Sequence, residues 1–125
     1  LEITEFQIIP LNKRDRKTSI YNQIQKLQFD YTVGRNITNQ PGMKTLYMRI
    51  TRPDGEIMQK NPSHVFKFEN SEIAYSIYKD FEYEGEETSG SLYWLVEEIL
   101  QIGIYNADFF VDGELIGSFP FEIKK

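Results

Sequence analysis

The densest group of ionisable side chains is the stretch KDFEYEGEE, which carries Asp80, Glu82, Glu84, Glu86 and Glu87. Carboxylates this close could act as general acid and base, or hold a hard cation through oxygen. Acid–base work needs one carboxyl in apolar surroundings, so that its pKa rises. Here the acids alternate with Phe81 and Tyr83, which puts Glu82 and Glu84 together on the wet face of a strand. The spacing also departs from the EF-hand loop, whose oxygen ligands recur at fixed positions around a glycine. The cluster reads as a solvated strand and loop, and neither catalytic nor metal-binding residues are expected from it.

Nucleophilic catalysis has no better support. The single histidine, His64, follows Pro62 and Ser63 and reads as a surface residue of a loop. There is no G-x-S-x-G elbow and no cysteine, which also removes disulfide frameworks and cysteine zinc sites. No glycine-rich loop opens a helix to cradle a phosphate, so no cofactor is expected. A net charge of -5 argues against nucleic acid, whose backbone selects basic surfaces. The one basic run, with Lys13, Arg14, Arg16 and Lys17, reads as a solvated loop. Asn36 heads an N-I-T sequon, which matters only in a eukaryotic secretory setting.

Aromatic residues, 14% of the chain, are more informative. Most alternate in register with a core, but Tyr47, Tyr78, Tyr93 and Phe110 fall on outward registers. Tyr47 shares its face with Arg49, and Phe110 shares its face with Asn106 and Asp108. Tyr47, Arg49, Asp108 and Phe110 are the candidate partner-binding residues, because aromatics and arginine inside a polar rim are favoured at interface hot spots.

The elements that must position these residues have period two. KLQFDYTV sends Leu27, Phe29, Tyr31 and Val33 to one face, and TLYMRIT does the same with Leu46, Met48 and Ile50. Phe6 and Ile8, Phe66 and Phe68, Leu92 with Trp94 and Val96, and Phe119 with Phe121 and Ile123 repeat the pattern. EIAYSIY reads as one strand with Ile73, Tyr75 and Ile77 on one face. DRKTSIYNQIQKL reads as a loop leading into a strand, and EEILQIG is ambiguous between strand and a short helical turn. Short strands separated by turn signals predict an all-β antiparallel sandwich. No apolar run reaches the roughly 20 residues that span a bilayer, so no membrane insertion is expected. The 125 residues suit one domain, residues 1–125, and the start at Leu1 predicts the C-terminal part of a longer chain. Lack of cysteine fixes no compartment; an extracellular or periplasmic setting is the expectation.

Gly103, Tyr105 and Ala107 stand in a G-x-Y-x-A arrangement at the entry to the penultimate strand. This resembles the tyrosine corner of immunoglobulin-like domains, in which the hydroxyl bonds back to the backbone a few residues upstream. Ala107 stands where an antibody domain carries its second cysteine. The ending ADFFVDGELIGSFPFEIK is similar to the closing hairpin of bacterial immunoglobulin-like modules. The resemblance implies an immunoglobulin-like sandwich of seven to nine strands, with strand F at Ala107–Val111 and strand G at Leu115–Lys124. Pro120, which cannot donate to a ladder, then belongs on an edge strand.

The same resemblance implies a non-catalytic interaction or spacer module of a larger bacterial protein. Its contact with a protein partner or a second copy would run through the outer face of the C–F–G sheet, with Ile116 beside the four candidate residues. The alternative expectation is a carbohydrate-binding sandwich that uses Trp94, Tyr93 or Tyr78. That reading requires an exposed Trp94, whereas the register of SLYWLVE turns it inward. An enzyme resting on Glu82 and Glu84 ranks third.

Overall fold

The computed structural model describes all 125 residues. Its nine strands are β1 (Ile3–Leu11), β2 (Lys26–Val33), β3 (Gly42–Thr51), β4 (Val65–Phe68), β5 (Ser71–Ala74), β6 (Ile77–Tyr83), β7 (Thr88–Leu95), β8 (Gly103–Val111) and β9 (Glu114–Ile123). One sheet has the order β1-β2-β7 and the other β6-β3-β8-β9, while β4 and β5 pair only with each other. Every pairing is antiparallel. A 3₁₀ turn at Tyr21–Gln23 interrupts the β1–β2 connection, and residues 96–102 cross between the sheets without helix or strand.

The alternation in the sequence becomes the core between the sheets. Leu27, Phe29, Tyr31 and Val33 from β2 meet Leu46, Met48 and Ile50 from β3, with Leu92 and Trp94 from β7 beside them. Tyr105, Ala107, Phe109 and Val111 from β8 complete the same cluster with Phe121 and Ile123. Burying each large apolar side chain contributes roughly 1.5–3 kcal/mol. Between the edge strands, Phe6 and Phe119 stack with centroids 4.9 Å apart and close one side of the sandwich. At the far end of β8, the Tyr105 hydroxyl donates to the carbonyl of Gln101 at 2.7 Å.

The closing hairpin turns on Asp112 and Gly113, at φ 52° and 75°. Two consecutive positive φ values make the tight turn whose twist suits a hairpin, and aspartate before glycine tolerates them. Phe109 lies opposite Gly117 but Phe110 lies opposite Leu115, so β9 carries an extra residue, Ile116. The bulge swings Ile116 into the core, which corrects the expectation that it lies on the outer face. Beside it, a β-carbon on Gly117 would stand 2.9 Å from Cβ of Ile3, so this close approach of β1 and β9 admits only glycine. Pro120 lies on β9, an edge strand with no ladder partner on its far side.

EIAYSIY is two strands, not one. The break is at Ser76, which is buried. Its hydroxyl accepts the N–H of Ile50 at 2.8 Å, and its own N–H donates to Met48 at 2.8 Å. The side chain replaces a backbone acceptor, so the chain can leave the hairpin of β4 and β5 and enter the sheet as β6.

Candidate functional site

The outer face of the four-stranded sheet holds the candidate residues, and the chain itself covers it. Between β3 and β6 the chain folds back as the β4–β5 hairpin and lies on this face. Phe66 stacks on Tyr47 with centroids 4.4 Å apart and planes 7° apart. Phe66 also meets Phe110 at 5.1 Å, and Phe68 meets it edge-on at 4.9 Å. Nε of Arg49 donates to the carbonyl of Ala74 at 2.7 Å, which fixes the hairpin's return strand to β3. Asp108 lies opposite Arg49 in the ladder and accepts from Nδ2 of Asn106 at 2.8 Å.

The fold therefore brings Tyr47, Arg49, Asp108 and Phe110 together, but beneath a lid. Phe110, expected on an open surface, is only 4% exposed, while Tyr47, Arg49 and Asp108 are half-buried. The reason is physical. Alternation reports which face of a strand a side chain takes, and it says nothing about what lies on that face. The available signal was Phe66 and Phe68, whose shared apolar face on a four-residue strand needs a partner surface.

The aromatic contacts run on past the hairpin. Tyr47 approaches Tyr75 at 5.2 Å, and Tyr75 meets the edge of Tyr78 at 5.7 Å. Burial first, and then the neighbouring Tyr78 and Tyr47 hydroxyls, push the Tyr75 phenol above its ordinary value. His64 stacks on Tyr75 at 5.2 Å with planes 12° apart. It is half-buried and its Nδ1 has no hydrogen-bond partner, which corrects the expectation of a surface loop histidine. The series ends in solvent at Tyr78, which is 56% exposed.

A second concavity of about 340 Å³ lies where residues 52–60 approach residues 94–101. Trp94 forms part of its wall but is buried, with Nζ of Lys60 4.2 Å above the ring. Lys60 is tied down by the Leu95 carbonyl and the Glu97 carboxylate, both at 2.6 Å. This removes Trp94 as a stacking platform. Arg52 reaches Asp54 through Nε at 3.1 Å and Nη2 at 2.7 Å, and Gln101 adds a bond at 2.9 Å. The hydrogen bonds from Arg52 and then Gln101 hold the Asp54 carboxyl well below the usual carboxylate range. Both cations are thus neutralised within the fold. The adjoining connection, ambiguous in sequence, exposes Ile99 and Ile102, and the strand ends beside it expose Leu95 of β7 and Ile104 of β8. The acidic stretch does not converge: Asp80, Glu82, Glu84, Glu86 and Glu87 are all exposed along β6 and the following turn.

The outer face of the three-stranded sheet is polar and uncovered. Ladder register sets Glu5, Thr32 and Ser89 in one row and Gln7, Asp30 and Ser91 in the next. These six line a shallow trough of about 670 Å³. Asp30 accepts from Ser91 Oγ at 2.6 Å and from Gln28 Nε2 at 2.9 Å. Thr32 and Ser89 share a hydroxyl hydrogen bond at 2.9 Å. Tyr93 stands in the following row, opposite Gln28, and is 51% exposed.

Fold and faces together define an all-β antiparallel sandwich with one aromatic, hairpin-covered face and one open polar face. The chain belongs to a domain family of unknown function, DUF8428, whose model matches residues 4–124. It is similar to part of a solved structure, the selenomethionine-labelled β-glucosidase from Kluyveromyces marxianus. That match has 11% identity and a TM-score of 0.51, and it covers 98% of this chain but 14% of the enzyme's. At this identity the likeness is one of fold. No curated protein matches the chain.

Proposed function

We propose that the domain is a non-catalytic, immunoglobulin-like interaction or spacer module of a larger bacterial protein. Its contact surface on this reading is the hairpin-covered face of the four-stranded sheet. The strand orders β1-β2-β7 and β6-β3-β8-β9 and the back-bonded Tyr105 support the immunoglobulin-like part of the reading. One observation carries the contact surface: the aromatic series of Tyr47, Tyr75 and Tyr78 ends in an exposed ring instead of closing on itself. Tyrosine gives large contact area at low conformational cost and is enriched at interface hot spots. In this arrangement Tyr78 is the exposed anchor, Tyr47, Arg49 and Asp108 flank it, and Phe110 supports the hairpin from below.

The test is sedimentation velocity of the domain over a concentration series, beside a Tyr78→Glu variant. Tyr78 is the proper probe because a charge at buried Phe110 would eject the hairpin as well. A dimer abolished by Tyr78→Glu supports a protein-binding face. A monomer throughout in both forms removes self-pairing and leaves the spacer role.

A further inference from the structure

We propose that the open face of the three-stranded sheet binds a neutral oligosaccharide, at a site separate from the aromatic face. The first ground is the state of Asp30. Both of its hydrogen bonds, from Ser91 and Gln28, go to Oδ1, and Oδ2 takes none. The carboxylate is half-buried and held by Gln28 of its own strand and by Ser91 of the neighbouring β7, so its remaining oxygen is aimed before any ligand arrives. A preoriented carboxylate oxygen makes strong hydrogen bonds to hydroxyl donors.

The second ground is what surrounds that oxygen. Ser89 and Ser91 supply hydroxyl oxygens at the surface, and Gln7 supplies an amide that both donates and accepts, while Thr32 is buried and shares its hydroxyl hydrogen bond with Ser89. The two hydrophobic lining residues contribute no apolar socket, because Phe6 and Tyr31 turn their rings onto Phe109 in the core. A peptide would find nowhere to bury a side chain. No lysine or arginine lines the trough, so the only charges a phosphate or an anionic glycan would meet there are the carboxylates of Glu5 and Asp30. A matching ligand must be neutral and dense in groups that donate and accept at once.

The third ground is Tyr93. It lies on the same face, two residues along β7 from Ser91 and so about 7 Å away. Nζ of Lys26 stands 5.6 Å from its ring centroid, but unlike buried Trp94 half of its surface is open, and the ring can take the apolar C–H face of a pyranose while the next ring's hydroxyls reach Asp30. An aromatic platform one row from a preset carboxylate and amide fits an oligosaccharide better than a free monosaccharide.

The experiment is an amide NMR titration of the ¹⁵N-labelled chain with cellohexaose, laminarihexaose, xylohexaose and mannohexaose, each at millimolar concentration. At least one sugar is expected to shift amides in all three spans 5–7, 30–32 and 89–93. Tyr93→Ala and Asp30→Asn should each weaken that binding about tenfold. Asparagine keeps the Oδ1 acceptor, so this variant retains the fold. Tyr78→Glu should leave the sugar affinity unchanged, which separates this site from the proposed contact face. Lack of shifts with all four sugars, shifts confined to the Tyr78 face, or affinity indifferent to both trough variants would each overturn the proposal. So would the same amides responding to calcium chloride and to no sugar, since the trough would then be a cation site.

Discussion

The two outer faces of this sandwich are made by the same rule and end in opposite states. On the four-stranded sheet the outward residues of β3 and β8 include Tyr47 and Phe110, and a hairpin of two four-residue strands covers them, burying Phe110 and half-burying Tyr47. On the three-stranded sheet the outward residues of β2 and β7 include Asp30, Thr32, Ser89 and Ser91, which no other part of the chain covers, and only Thr32 among them is buried. The difference follows from composition. Aromatic outward residues give a folded-back loop something to bury, and hydroxyls and carboxylates give it nothing. An antiparallel sheet can leave one face to solvent, and this chain does so only on the side where that face is polar.

The largest expected effect tests whether the hairpin belongs to the fold. Phe110→Ala should cost about 3 kcal/mol in urea denaturation, because Phe66 and Phe68 lose the ring they both rest on. Amides 65–74 should lose hydrogen-exchange protection together. A cost under about 1 kcal/mol would mean that the lid is only loosely held. Ser76→Ala comes next, at about 1–3 kcal/mol, since it leaves the N–H of Ile50 without its acceptor. A double-mutant cycle on Tyr47→Ala and Phe66→Ala then sharpens the comparison. The stacked pair should show a coupling of about 0.5–1.5 kcal/mol.

On the open face, Ser91→Ala should change stability by about 0.5 kcal/mol or less, for its partner Asp30 keeps Gln28 and water. A cost comparable to that of Phe110→Ala would erase the contrast between the faces. The smallest effect belongs to neither face. The folded state depresses the Asp54 carboxyl, so the stability it contributes is complete above its unfolded value of about 3.9 and is lost as pH falls below that. Asp54→Asn should flatten that acid limb of the denaturation midpoint. Added salt should shrink the difference, since the pair is exposed.

Much of the fold is legible in the sequence alone. The inward residues of β2, β3, β7 and β8 follow from period two, because strand geometry sends neighbours to opposite faces whatever the context. The turn at Asp112-Gly113 follows from the residues that tolerate positive φ. The strands also bring the four candidate residues onto one face, where Tyr47 and Phe110, and Arg49 and Asp108, are ladder neighbours. What escaped was coverage. The β4–β5 hairpin returns to β3 and β8 across a long stretch of chain, and no local pattern reports its landing place. His64 and Ser76 were misread for the same reason: one is stacked and the other buried by residues outside its own segment. The trough was missed because serine, threonine and glutamine on an outward register look the same whether they sit on a flat face or line a concave one.

The sequence by itself determined the strands other than the break at Ser76, their inward faces and the tight closing turn, because each depends on the sterics of a few adjacent residues. Tertiary structure alone decided that Ile116 turns inward at a bulge, that Phe110 lies under a lid, and that Asp30 is held with one oxygen open. Each of these is settled by atoms brought together from distant parts of the chain, where packing and hydrogen-bond geometry, not local preference, set the energy.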